Sequence, residues 1–375
     1  MDSINATQVI GSPLYWINRP YYYAYMALTK QSFGLLIITI CQWWTPTLIR
    51  VSWDRSLRGQ IRQGADGRLQ CSFPERLVLV ANHQLYTDWL YLWWIAYTNR
   101  MHGHLYIVLK EILKSIPVLG PGMMFYGFIF LARNWAKDKA RFAHRLQKLN
   151  FRHDGPLAGS GSLDPMWLLL FPEGTNLSNN GRDRSAKWAD KQGIPDMKHQ
   201  LLPRSTGMFF CLQQVRGTLD WVYDCTVAYE GIPWVSTIPL MVFSRELTIH
   251  SRGQYGQDLF TLRTSFLQGR PPKSVNMYWR RFALSSIPLD NAEDFDVWLR
   301  QRWTEKDQFL ELYMSSGRFP ADKDDASYPD FIETEVQQKY WWEFTQIFVG
   351  LAAFGIVVRL FFRIYSIVFR QSVPG

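Results

Sequence analysis

The sequence predicts an α/β domain, a sheet flanked by helices, set between N-terminal membrane-anchoring helices and a C-terminal helical and membrane-associated segment. Three observations predict it. From residue 75 to 285 short apolar runs alternate with longer amphipathic stretches, the pattern of strands separated by helices. Two uncharged apolar segments with Trp beside them stand near the two ends of the chain. The 375 residues include 17 Trp, 18 Tyr and 24 Phe, with 19% charged residues. That is too much charge for a polytopic membrane protein, and the aromatic load suits a boundary between lipid and water.

Residues 31–49 carry no charge, are bracketed by Lys30 and Arg50, and have Trp43 and Trp44 near one end. About 20 apolar residues cross a bilayer, so residues 1–50 read as anchoring helices, the aromatic run at 15–25 forming an interfacial helix beside the span. A buried core helix would show the same pattern. Residues 51–74 read as a connector. Within the domain at 75–285, strands are expected at 77–81, 105–109, 128–132, 167–171, 221–228, 238–243 and 275–282, and helices at 88–97, 136–149, 185–191 and 205–217. The apolar stretch 115–132 is broken by Pro117, Gly120, Pro121, Gly122 and Gly127, so it reads as a substrate-lining loop and a strand. The glycines of 155–162 lack phosphate-binding spacing, and this segment reads as a linker.

Residues 286–339 read as a helical extension, with Phe295, Leu299, Trp303 and Leu310 on a recurrent apolar face. In the last segment, 340–375, residues 344–358 are uncharged and precede Arg359, Arg363 and Arg370. That run is short for a crossing; Arg359 can snorkel to extend it, or the helix can lie in the membrane plane.

Arg50, Arg55, Arg58, Arg62 and Arg68 follow the first apolar segment, and only Arg19 and Lys30 precede it, which puts the domain on the cytosolic side. If that segment crosses, Asn5 of the first sequon is lumenal and open to glycosylation, and Asn176 of the second stays bare. A formal charge of +9 favours an anionic partner. Cys41, Cys71, Cys211 and Cys225 have neither metal-type nor disulfide-framework spacing, so no metal site is expected. No basic cluster interleaved with aromatics matches a nucleic-acid module.

Four motifs carry chemistry. Asn82-His83-Gln84-Leu85-Tyr86-Thr87-Asp88 follows the apolar run LVLVA. A histidine at a strand end, with an aspartate five residues on, lets the carboxylate fix the imidazole tautomer and leaves the other nitrogen as a general base. A capped turn with a surface histidine fits the same pattern. Phe171-Pro172-Glu173-Gly174-Thr175 ends the apolar run WLLLF. Here Glu173 can accept a ligand hydroxyl, Gly174 permits an unusual dihedral, and the amides of 172–175 can stabilise an oxyanion; a turn with a solvated glutamate is the plain alternative. An apolar run delivers Arg133 at its end, with Lys110 and Lys114 upstream, and Leu201-Leu202-Pro203-Arg204-Ser205-Thr206-Gly207 supplies Arg204. Both arginines suit bidentate phosphate capture, although isolated arginines are common on any surface.

Taken together, in this order and spacing, the four motifs closely resemble the glycerophospholipid acyltransferase family over roughly residues 75 to 245. The run from Lys198 to Gly207, with Trp298, Trp303 and Gly317-Arg318-Phe319-Pro320 in the tail, looks like the eukaryotic branch that includes lysocardiolipin and lysophosphatidylinositol acyltransferases. The resemblance implies a mixed sheet and acyl transfer from acyl-CoA, a co-substrate and not a bound cofactor, to a glycerol hydroxyl of an anionic lysophospholipid. His83 and Asp88 would be catalytic. Lys110, Arg133, Glu173, Gly174, Thr175, Pro203 and Arg204 would bind substrate. The implied location is the endoplasmic reticulum membrane with the domain facing the cytosol; the mitochondrial outer membrane or a lipid-droplet contact is the other possibility. Many lysophosphatidate acyltransferases have Arg or Ser directly after Glu-Gly-Thr, where this chain has Asn176; this weakens the case for a plain lysophosphatidate acceptor and favours a phosphodiester headgroup. A non-catalytic lipid-binding or assembly factor on the same fold, and a CoA-independent phospholipid transacylase, are the alternatives.

Overall fold

Leu77, Val78, Leu79, Val80 and Ala81 are consecutive and none is more than 2% exposed, the mark of a strand covered on both faces. They belong to β2 of an eight-stranded sheet in the computed structural model, which describes residues 1–232, 240–242, 245–247, 255–320 and 329–370. The strands are β1 (Leu48–Trp53), β2 (Arg76–Ala81), β3 (Leu105–Lys110), β4 (Ile129–Leu131), β5 (Met166–Leu170), β6 (Trp221–Tyr229), β7 (Ser274–Ala283) and β8 (Ile332–Glu335). Their spatial order is β8-β1-β7-β6-β2-β5-β3-β4. From β6 through β2, β5 and β3 to β4 every pairing is parallel. β1 is parallel to β7, whereas β7 with β6 and β1 with β8 are antiparallel. The sheet is therefore mixed.

The longer helices are α1 (Asp2–Gly11), α2 (Arg19–Trp44), α3 (Asp88–Thr98), α4 (Trp135–Leu149), α5 (Asn179–Gln192), α6 (Ser205–Val215), α7 (Ala292–Ser316) and α8 (Gln346–Arg370). Alternate residues of β2 face opposite layers. Leu77, Leu79 and Ala81 join a core with Phe33 and Ile38 of α2 and Leu92, Trp93 and Ile95 of α3. Val78 and Val80 pack with Phe142 of α4, Ala189 of α5, Leu212 of α6 and Phe295, Leu299 and Trp303 of α7.

The expected strands at 77–81, 105–109, 128–132, 167–171, 221–228 and 275–282 are present, with ends shifted by one or two residues. Of the strand expected at 238–243, Leu240–Val242 is present and the remainder lies outside the described residues. The boundaries around 50 need correction. Residues 48–53, divided above between an anchor and a connector, form β1 inside the sheet. The connector also contributes a small hairpin, Ile61–Gln63 with Leu69–Cys71. The charge that hid β1 is Arg50, whose guanidinium reaches Glu333 at 2.7 Å and Glu230 at 3.4 Å. Nor is 286–339 an appendage, since α7 covers one sheet face and β8 extends the sheet edge.

The N-terminal reading changes as well. Asn18 caps α2 by accepting the Tyr21 N–H at 3.2 Å, so the tyrosines at 21–25 belong to this helix and not to a separate one. Pro46 ends it. The most apolar stretch of α2 is 61% buried within the protein, against 6% for α8. α1 folds back on the same body: Asn5 Nδ2 donates to the Val118 carbonyl at 2.6 Å, and Gln8 Nε2 to the Gly122 carbonyl at 3.4 Å. Asn5 and the domain therefore share one side, and α2 lies along the domain; the lumenal Asn5 expected of a simple crossing is not what the structure has.

Beneath β6 and β7 lies a buried ionic cluster. Asp224 bonds Arg280 Nε and Lys306 Nζ, each at 2.7 Å, and Arg280 also reaches Glu305 at 2.5 Å. Removing one member of a buried pair strands its partners. Asp224→Ala is expected to lower unfolding free energy by about 3–5 kcal/mol, read by denaturant titration in detergent; a loss under about 1 kcal/mol would remove this cluster from the fold's supports.

Candidate active site

In the parallel part of the sheet every strand delivers its carboxyl end to the same edge. Asn82 and His83 leave β2 there, Phe171 leaves β5, Lys110 ends β3, Arg133 follows β4 and Tyr229 ends β6. Crevices outside such carboxyl ends are the usual ligand sites of α/β sheets.

Asn82 pins the first loop. Its side chain donates to the Val227 carbonyl at 3.0 Å and accepts the Val227 N–H at 2.7 Å, extending the sheet ladder by one side chain. Asp88 opens α3 and closes the loop on itself, accepting the N–H groups of Gln84 at 2.7 Å and Leu85 at 3.1 Å together with the Tyr229 hydroxyl. His83 Nδ1 lies 2.7 Å from Asp88 Oδ2. Asp88 is fully buried, whereas the imidazole is one-fifth exposed and stacks on Phe171 at 4.3 Å. With Nδ1–H donated to the carboxylate, Nε2 is the basic nitrogen.

Glu173 joins this loop to the rest. Its Oε1 accepts the His83 N–H at 3.1 Å and its Oε2 the Leu201 N–H at 3.3 Å. Burial pushes its carboxyl up to about 8, against the lowering pull of the two amides. Glu173 was expected to take a substrate hydroxyl; in the structure each of its oxygens accepts a backbone amide, which makes it a strut between two loops. Gly174 adopts φ +71°, a conformation open to glycine at little cost. Its N–H donates to the Phe171 carbonyl at 2.9 Å, which withdraws it from the expected oxyanion donors, and its carbonyl accepts from Arg133.

A cleft of about 410 Å³ opens beside Glu173, lined by Gly174, Thr175, Pro203 and the guanidinium-bearing Arg133, Arg184 and Arg204. Burial, then Arg204 and Arg184, lower the Arg133 pKa; burial, then Arg133 and Arg184, lower that of Lys110. A cation whose pKa is lowered by neighbouring cations marks a site for an anion. Lys110 does not line the cleft but lies within this field. The Asn176 side chain is buried against Gln257 and does not line the cleft, so its identity does not decide phosphate contact directly, contrary to the expectation above.

Tyr229 and Arg184 went unseen in the sequence. Tyr229 reaches Asp88 across 141 residues and left no local signal. Arg184 had one: Ser178 Oγ accepts the Gly181 N–H at 3.1 Å and starts α5 at Asn179, ahead of the helix expected from 185, and a serine followed by Asn-Asn-Gly is a cap signal.

The Acyltransferase family model matches residues 67–230, and the Acyltransferase C-terminus model matches residues 265–341. An uncharacterized acyltransferase of Schizosaccharomyces pombe is 35% identical over 364 residues, 97% of this chain and 93% of its own. This chain belongs to the acyltransferase family. Also similar to this acyltransferase are a 2-acyl-1-lysophosphatidylinositol acyltransferase of Saccharomyces cerevisiae, 35% identical over 78% of this chain and 76% of its own, and lysocardiolipin acyltransferase 1 of Mus musculus, 31% identical over 64% and 54%. No solved structure matches. The family thus includes enzymes named for acylating lysophospholipids, and the first matched region holds His83, Asp88, Glu173 and Arg204 together.

Glu173→Gln keeps the size of the strut but replaces one acceptor with a donor. It is expected to leave a buried N–H unpaired, at about 1–3 kcal/mol. The native protein holds a proton on Glu173 that the unfolded chain releases above about 4.5, so wild-type stability falls as pH rises from 4.5 to about 8 and is level beyond. That part of the slope disappears in the glutamine variant; an unchanged pH profile of denaturant stability would show Glu173 to be ionised throughout.

Proposed function

We propose that this acyltransferase moves an acyl group from acyl-CoA to a free glycerol hydroxyl of an anionic lysophospholipid, with lysophosphatidylinositol or lysophosphatidate as acceptor, at the cytosolic face of the endoplasmic reticulum membrane. The observation that carries the proposal is the His83–Asp88 pair, 2.7 Å apart and tied through Glu173 to an arginine-lined cleft. In the proposed reaction Nε2 takes the hydroxyl proton as the oxygen attacks the thioester carbonyl. Asp88 stabilises the imidazolium that forms. The carbon–sulfur bond breaks, and the departing thiolate takes the proton from His83, which returns the site to its starting state without an acyl-enzyme. Arg133, Arg184, Arg204 and Lys110 supply the positive field for acceptor and CoA phosphates.

The surface supports a lipid acceptor. Trp16, Ile17, Trp43, Trp44 and Trp341 are each more than half exposed, and α8 exposes Phe348, Val349, Phe361, Phe362 and Ile364, a patch suited to a bilayer. The relative that acts on 2-acyl-1-lysophosphatidylinositol supports the inositol headgroup.

The full chain in mixed micelles, offered acyl-CoA and a lysolipid panel, is expected to release CoA fastest with lysophosphatidylinositol or lysophosphatidate and slowly with lysophosphatidylcholine. No CoA release with any acceptor would sink the proposal in favour of a lipid-binding factor, and ester exchange without CoA would point to a transacylase. His83→Ala should lower kcat by about 10²–10⁴-fold with an unchanged melting curve, and near-normal turnover would refute the base assignment. Arg133→Ala should raise the acceptor KM by roughly 10- to 150-fold, the range for loss of about 1.5–3 kcal/mol in a charged hydrogen bond, with a smaller change in kcat.

A further inference from the structure

At the opposite end of the sheet from His83, a second cavity of about 250 Å³ lies between α2, the turn at 124–127, α4 and the amino end of β5. Lys30, expected from sequence to flank a membrane span, sits inside α2 and lines this cavity with 2% of its surface exposed. Its Nζ lies 3.6 Å from the centroid of the Tyr106 ring and 5.8 Å from that of Phe128. No hydrogen-bond or ion-pair partner for it is found among the described residues. Ring faces offset only part of the cost of taking an ammonium out of water. Tyr126 lines the same cavity, is 2% exposed, and its hydroxyl has no hydrogen-bond partner among the described residues.

The remaining charges around the cavity are unequal. Arg145 and Lys148 of α4 line it with Lys30, and the single carboxylate there, Asp164, lies 3.1 Å from His153 Nε2. A buried donor, Lys30, therefore lines a cavity edged by two cations. Buried donors are almost always paired with an acceptor, and an oxyanion with several acceptor oxygens can serve Lys30, Arg145 and Lys148 at once. Met26, Phe125 and Leu149 add apolar walls, which a free inorganic anion would not use.

We propose that this cavity binds the phosphate group of an anionic glycerophospholipid, at a site separate from the catalytic cleft, with Lys30 as the buried donor and Arg145 and Lys148 at the edge. The bound lipid would hold α2 against the sheet and α4. The site does not depend on the proposed reaction, because none of its residues belongs to the catalytic end.

Native mass spectrometry of the full chain in neutral detergent, with dioctanoylphosphatidate as probe, tests it. Wild type is expected to retain two molecules. Arg133→Ala/Arg204→Ala should lose one, and Lys30→Met the other, with at least a tenfold weaker second binding step and normal turnover. Lys30→Met removes a buried amine and alters the packing of α2, so Arg145→Gln/Lys148→Gln, which changes only the edge, is measured beside it and should weaken the same step severalfold. Dioctanoylphosphatidylcholine, without net charge, should bind this site more weakly than the phosphatidate. Equal phosphatidate binding by wild type and both sets of cavity variants would overturn the site. Displacement of the lipid by millimolar inorganic phosphate alone would overturn the lipid and leave an anion site.

Discussion

The candidate catalytic end of the sheet is organised by one buried carboxylate. Asp88 has no contact with solvent, and an ionised group in that position is stable only when donors surround it. Here they come from three directions: the amides of its own loop, the hydroxyl of Tyr229 at the end of β6, and the imidazole of His83. The same contacts close the loop, start α3 and orient the histidine. Helix start, ring orientation and strand end are thus one arrangement, and a change in any of them reaches the other two.

Glu173 extends that arrangement by one step. Through two backbone amides it connects the histidine loop with the segment that carries Pro203 and Arg204, while Arg133 bonds the Gly174 carbonyl. Arg133 and the segment carrying Arg204 are therefore tied to the same backbone as His83, the kind of preorganisation on which the proposed acyl transfer would draw. After burial, Arg204 and Arg184 depress Arg133, a cost that an anionic ligand relieves.

The two apolar helices do different work although their compositions are alike. α8 leaves its apolar surface open, whereas α2 buries Phe33 and Ile38 in the core of the domain. An apolar helix that packs on a sheet already has a partner for its stripe, so length and hydropathy alone overstate its claim to cross a bilayer. The aromatic residues around both helices still give the protein a lipid-facing surface.

What the sequence determined by itself was local. Continuous apolar runs such as 77–81 and 167–171 marked strands buried on both faces, the motifs after such runs placed His83, Glu173 and Arg133 at strand ends, and Asp88 and Arg204 were picked out by their own motifs. Those signals are legible because burial on both faces admits few residue types and because each motif lies within a few residues. Tertiary structure decided the rest. Arg50 concealed β1, since a charge in a strand is tolerated only where Glu230 and Glu333 stand beside it. Tyr229 gained its role from Asp88, 141 residues away at the start of a helix, Glu173 became a strut when two loops met it, and Lys30 changed from a flank to a buried amine when α2 lay down on the domain. Hydrogen bonds and desolvation act between neighbours in space, and chain order records those neighbours only when they are also neighbours in sequence.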